Sequence, residues 1–204
     1  MKKLYFYSLS SVLLISLGAL ALNFTFDNLN EGSNLINDEV VLVNAQKSKV
    51  KWKAEKVTGF HEGLINIKTA NLIFDNDLLT GGQVTIDMTS INCTDLSGSS
   101  KIKIEEHLNS VDFFNVKDFQ TSTLTIIKCT KIRKDSYSIV ADLTIKDVTE
   151  TVQFEAELSN NVATAILNFD RTKFDIKYGS GSFFENLGDK MIYDNINLTV
   201  NINY

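Results

Sequence analysis

Alternation with a period of two, kept up along most of the chain, is the feature that most restricts the fold. Val50, Trp52 and Ala54 alternate with Lys49, Lys51, Lys53 and Glu55. Val84, Ile86 and Met88 alternate with Thr85, Asp87 and Thr89, and Leu124 and Ile126 with Thr123 and Thr125. The same holds for Tyr137–Ile145, Val152–Leu158 and Ile196–Ile202, and segments near Ile65–Phe74 and Val162–Asp170 bring the total to about eight strands. Side chains of a strand point to opposite faces in turn, so each segment has one apolar and one wet face, as in an antiparallel sheet. The chain has no proline to interrupt a ladder. Turn residues stand between the strands: Asp75-Asn76-Asp77 with Gly81-Gly82, Lys134-Asp135-Ser136, and Ser159-Asn160-Asn161.

One stretch departs from this period. Ser99–Leu108 predicts a short helix (about 99–108), with Ile104, His107 and Leu108 on one face. Eight strands can close into a barrel, which removes sticky edges, or divide into a sandwich. Small inward residues at Ala54, Ala141, Ala156, Ala163 and Ala165 leave room inside and favour the barrel.

The front of the chain is different. Lys2 and Lys3 precede an apolar run, Val12–Leu22, and Ala19-Leu20-Ala21 fits a small-x-small cleavage site. This predicts a secretory signal over 1–21, cleaved after Ala21, and a periplasmic or extracellular protein. Retention of the segment as an anchor is the competing reading, although the run falls short of the ~20 residues of a spanning helix. The Asn-rich residues 22–42 read as a linker, and 43–204 as the domain. Without Lys2 and Lys3, 18 basic residues face 25 acidic ones, a net charge of −7. That balance argues against a nucleic-acid partner, since binding phosphates takes Lys and Arg.

Two cysteines in an exported chain invite a disulfide. Cys93 ends one predicted strand and Cys129 lies near the far end of the next, so antiparallel pairing holds them beyond bonding range; both are expected unpaired. Catalytic chemistry finds no support. The string Gly179-Ser180-Gly181-Ser182 lacks the Lys-Ser/Thr of a phosphate loop and the Gly-x-Ser-x-Gly of a nucleophile elbow. His61 and His107 are too few for a metal site with recognisable spacing. No catalytic residue, catalytic cofactor or metal is expected.

Five stretches in consistent order ("VKWKAEKVTGFHEGLINIK", "LTGGQVTIDMTSI", "HLNSVDFFNV", "ADLTIKDVTETVQFEAEL" and "RTKFDIKYGSGSFFENLGDKMI") resemble the YceI family of lipid/polyisoprenoid-binding proteins. The resemblance spans about Val43 to Tyr204. It implies an all-β, extended eight-stranded antiparallel lipocalin-like barrel whose bore holds a long-chain isoprenoid lipid, either a polyprenyl phosphate or an isoprenoid quinone. The sequence departs from the family at Asp147, often Gly there, at Glu150-Thr151, usually Lys-Pro, and at Gln120, usually Pro. Alternation and resemblance together predict the lining as Val50, Trp52, Ala54, Val84, Ile86, Met88, Leu124, Ile126, Leu143, Phe154, Ala165 and Leu198.

The last of those stretches then reads as a long irregular connection at a barrel end. Glycines allow its turns, Phe183-Phe184 plug the core, and Arg171 with Asp170 or Asp175 ties it down. His61, His107, Arg171, Tyr178, Ser180 and Ser182 are the rim candidates for a headgroup contact; a rim closed by a buried ion pair, with histidines bonded to backbone carbonyls, is the alternative. Transient membrane contact and a homodimer are compatible with such a protein. Two other functions stay open: a closed ligand-free barrel serving as an interaction or stress-response module, and an enzyme acting on a lipid headgroup at the rim.

Overall fold

A computed structural model describes residues 38–204; the expected signal segment and most of the linker lie outside the described residues. Nine strands and one α-helix follow in order: β1 Asp38–Leu42, β2 Lys49–Lys56, β3 Gly59–Asp75, β4 Leu78–Cys93, α1 Gly98–Asn109, β5 Thr121–Lys131, β6 Ser136–Ile145, β7 Val148–Ser159, β8 Val162–Asp170 and β9 Ile192–Asn203. Strands β2 to β9 each pair antiparallel with the next, and β9 pairs back onto β2, from Lys49↔Asn201 to Lys56↔Ile192. The sheet is therefore a closed eight-stranded barrel, as the family resemblance implies.

The ninth strand corrects the linker. Residues 38–42 pair with Asn71–Asp75, covering the part of β3 that extends beyond its partner β2. Val40, Val41 and Leu42 follow one another without alternation, so a period-two search passes over them.

Three hairpins turn on two residues with positive φ: Asn76-Asp77 (48° and 63°), Lys146-Asp147 (52° and 60°) and Asn160-Asn161 (53° and 58°). Two left-handed residues in succession form the turn whose twist matches that of the flanking strands, and Asn and Asp tolerate it best. Asp147 occupies such a position, which explains why glycine suits it.

The topology sorts the connections. The turns at 76–77, 132–135 and 160–161 share one end of the barrel. The β4–β5 segment that carries α1 and the β8–β9 loop share the other, here called the helix end. Ile104 and Leu108 of α1 pack on the core, while Ile102 is exposed. After α1 the chain stays in turns that bury Phe113 and Val116. The helix end is filled by Phe113, Phe174, Ile176, Phe169 and Leu108. Tyr137, Leu79, Leu72 and Ile139 fill the opposite half.

One close approach sets the helix-end wall. A Cβ on Gly63 would stand 2.1 Å from the carbonyl oxygen of Asn92 and 2.6 Å from the Trp52 ring. The bare backbone at Gly63 makes room for the indole of Trp52.

Candidate functional site

The barrel encloses a cavity of about 180 Å³. It runs from Leu72 and Leu79 in one half to Leu108, Phe113 and Phe114 at the helix end. All twelve positions expected from alternation stand on its wall. Ala54, Ala156, Ala163 and Ala165 contribute the small side chains that keep it open, whereas Ala141 is packed away among Tyr137 and Ile139. Leu108, Phe113 and Phe114 were missing from the expected set because they come from the helix and the turns after it, where no period of two marks the inward residues.

No ionisable side chain is among the lining residues; the polar ones are Ser122, Thr123 and Thr164. The Ser122 hydroxyl faces Met88 Sδ at 3.3 Å. Trp52 is 8 % exposed and its Nε1–H meets no acceptor. An unpaired buried donor costs about 1–3 kcal/mol. His107 Nε2 and Asn109 Oδ1, at the end of α1, are likewise buried without partners.

The β8–β9 loop is organised by Arg171, which is 0 % exposed. Its guanidinium donates to the carbonyls of Ile176 (2.8 Å), Ile192 (3.1 Å) and Tyr193 (3.3 Å) and to Asp194 Oδ1 (3.2 Å). Burial pulls its pKa down, against the pull of Asp194 and Asp170. The expected partners are corrected. Asp170 instead caps the 3-10 turn Arg171–Phe174 by accepting from Thr172 N–H and Oγ1–H, and Asp175 pairs with Lys177 on the surface. Asp194 lies 23 residues along the chain, where local spacing gives no hint of it.

Two other expectations for this loop fail. Phe183 and Phe184 are half exposed and do not plug the core; Phe174 and Ile176, which point inward from the 3-10 turn and its exit, take that place. Arg171 and Ser180 are wholly buried within the loop and are not rim groups. Ser180 Oγ accepts from the Ser182 N–H, and Ser182 Oγ donates to Asp194 Oδ2 at 2.7 Å. Tyr178 is exposed, its ring edge-on to His107 at 4.4 Å.

The histidines are not bonded to backbone carbonyls. His107 sits between Phe113 and Tyr178. His61, at the start of β3, holds Asp95 through Nδ1 at 2.9 Å. Asp95 Oδ1 is also 3.1 Å from Cys93 Sγ. The Cys93 thiol is pushed up by burial and then by Asp95, the reverse of what a nucleophile needs. Cys129 is raised to about 11 by burial. Thr121 of β5 pairs with Asp87 of β4, so Cys93 lies toward the helix end and Cys129 toward the other; both thiols are free.

A closed antiparallel barrel with an apolar interior and one capped end is a lipocalin-like container. This chain belongs to the YceI-like domain family, whose model matches residues 42–204. No curated protein matches it. Among solved structures it is similar to BcnA of Burkholderia cenocepacia (20 % identity, covering 78 % of this chain and 98 % of that one, TM-score 0.63). It is also similar to a polyisoprenoid binding domain from Saccharophagus degradans implicated in plant cell wall breakdown (12 %, 79 % and 95 %, TM-score 0.54). A third is the YceI protein of Campylobacter jejuni (20 %, 69 % and 82 %, TM-score 0.51). At these identities the likeness is one of fold.

Proposed function

We propose that the protein is an exported, non-enzymatic carrier that holds a long-chain isoprenoid in its bore, for transport, storage or a stress response. The observation that carries this reading is the cavity, continuous along the barrel and lined by no charged group. At about 180 Å³ it lies below the ~300–1,000 Å³ of pockets for compact ligands, so a long chain has to widen the bore as it enters or leave part of its length outside. Each buried CH₂ contributes ~0.8 kcal/mol, so each five-carbon unit contributes up to ~4 kcal/mol before ordering costs. Few polar contacts are then required. The polyisoprenoid binding named for the Saccharophagus domain supports the same ligand class.

Between the two headgroups, an uncharged quinone suits the interior better than a phosphate. A buried phosphate needs a cation, and the Arg171 guanidinium is already bonded to three carbonyls and Asp194. The Trp52 Nε1–H is a free donor for a quinone carbonyl. A polyprenyl phosphate would have to keep its head outside. Exposed Phe183 and Phe184 at the helix end suit transient contact with a membrane during loading.

The closed-barrel interaction module fits less well, because a ligand-free core has no use for this cavity. The rim-enzyme reading is weakened by Cys93, a buried thiol with a raised pKa. Native mass spectrometry of the protein purified from its own envelope, followed by lipid extraction, tests the proposal. Expected are a polypeptide mass beginning after Ala21 and a bound species whose mass steps in isoprene units. An apo mass that stays apo when quinone or polyprenyl phosphate is added overturns the ligand. A mass that still includes residues 1–21 overturns cleavage alone.

A further inference from the structure

The β3–β4 ladder gathers three side chains of metal-ligand type at the helix end. Gly63 pairs with Cys93. One step outward, Thr94 N–H donates to the Glu62 carbonyl at 2.9 Å, and Glu62 N–H donates to Asp95 Oδ1 at 2.9 Å. His61 therefore faces Asp95 across the ladder, on the side of the sheet that Cys93 occupies. Nδ1 of His61, Sγ of Cys93 and a carboxylate oxygen of Asp95 all lie within 4.8 Å of one another. Cys93 is buried, while the side chains of His61 and Asp95 keep 24 % and 19 % exposure, which leaves an approach from solvent.

We propose that His61, Cys93 and Asp95 form a binding site for a single Zn²⁺-type divalent ion, with the fourth coordination position open to water. Imidazole, thiolate and carboxylate are the three ligand classes that zinc takes, and three protein ligands with an open position is a recurrent arrangement. Metal–ligand bonds of ~2.0–2.3 Å place tetrahedral ligand atoms roughly 3.3–3.7 Å apart. The Nδ1–Oδ2 and Sγ–Oδ1 separations are 2.9 and 3.1 Å, and one ligand atom from each residue can be chosen so that all lie within 4.8 Å, so side-chain shifts of about 1 Å bring the three to that spacing. Binding releases the thiol proton of Cys93, and the single N–H proton of the neutral imidazole resides on Nε2, which frees the Nδ1 lone pair for the ion.

The supporting contacts are already made. Glu105 of α1 accepts from Cys93 N–H at 2.8 Å, and the Glu62 N–H fixes Asp95. Such outer contacts orient the ligands. The site uses one histidine and no short-range motif, since 32 residues separate His61 from Cys93 and only strand register joins them.

The test uses the full barrel, stripped with chelator and then titrated with Co²⁺ and with Zn²⁺. Expected are one equivalent of Co²⁺ with a near-ultraviolet thiolate-to-cobalt charge-transfer band, its displacement by Zn²⁺, and a rise in Tm with Zn²⁺. Cys93→Ser should abolish the band, and His61→Ala should weaken Zn²⁺ binding by more than the ~10–100-fold that loss of an outer contact costs. His61 is partly exposed, so its variant keeps the test valid should Cys93→Ser fold poorly. Absence of a thiolate band in the wild-type protein, or Zn²⁺ binding unchanged in His61→Ala, overturns the site. None of these readings depends on lipid.

Discussion

Arg171 and Asp194 join the two ends of the β8–β9 connection: Nη2 lies 3.2 Å from Oδ1, and the same carboxylate takes the Ser182 hydroxyl on Oδ2 at 2.7 Å. Three further donors of the guanidinium go to the carbonyls of Ile176 in the loop and of Ile192 and Tyr193 at the start of β9, so one buried cation organises about twenty residues that have little regular structure. Gly179, at φ 62°, supplies the left-handed residue that lets the loop return toward β9. Removal of the arginine takes the donor from those carbonyls and from Asp194 Oδ1. Arg171→Met should lower stability by about 3–5 kcal/mol in urea unfolding. Limited proteolysis should cut first within 177–187. A variant as stable and as protected as wild type would refute the clamp.

Gly63 predicts a steric rather than an electrostatic effect. An added methyl at this position meets backbone at 2.1 Å, which cannot move without opening the β3–β4 ladder. Gly63→Ala should therefore cost at least about 3 kcal/mol, the upper part of the range for overpacked cores. Trp52 is the sole tryptophan, so its emission reports directly on the displaced ring. An unshifted spectrum with unchanged stability would rule out the close packing.

The same indole reads ligand binding. Titration with an isoprenoid quinone should quench the emission of Trp52. Loss of one net hydrogen bond, ~0.5–1.5 kcal/mol, should weaken quinone binding in Trp52→Phe about 2–10-fold, followed by competition with an unlabelled chain. Charged residues introduced at Met88 or Ala165, both on the cavity wall, should abolish uptake while the barrel survives at reduced stability. Uptake undiminished in those variants would argue against the bore.

Asp95 sets a pH dependence. Burial raises its pKa, but the Glu62 N–H, His61 and the Cys93 thiol outweigh that and lower it from 3.8 to about 2. The folded state thus favours the ionised form. Its contribution is complete above the unfolded pKa near 4 and is lost as pH falls from about 4 through about 2. Urea midpoints measured across that window should drop more in wild type than in Asp95→Asn. Parallel curves would show that the carboxylate is not held in this way.

At the β6–β7 turn, Asp147 has φ 60°. Glycine adopts this conformation without strain, whereas other residues pay up to ~1–2 kcal/mol and Asp less. Asp147→Gly should therefore be neutral or raise stability by up to about 1 kcal/mol, part of the gain being offset by the freer unfolded chain. A loss above 1 kcal/mol would mean that the Asp147 side chain stabilises the folded turn.

The barrel and its lining were legible in the sequence because both follow from a local rule. Every second residue of a strand faces inward, so Val50, Trp52, Met88 and Leu198 could be placed without knowing any strand's neighbour. Chain segments lacking that period were not readable in the same way. Val40-Val41-Leu42 is a strand because it covers the exposed length of β3, and Phe174 and Ile176 rather than Phe183 plug the helix end because the 3-10 turn after β8 points them inward. The pairing of Arg171 with Asp194, and the meeting of His61 with Cys93 and Asp95, depend on strand register over 23 and 32 residues of separation. Alternation determines which face a side chain takes. Only closure of the barrel decides which distant side chains share an end of it, since register is fixed by the packing of all eight strands at once.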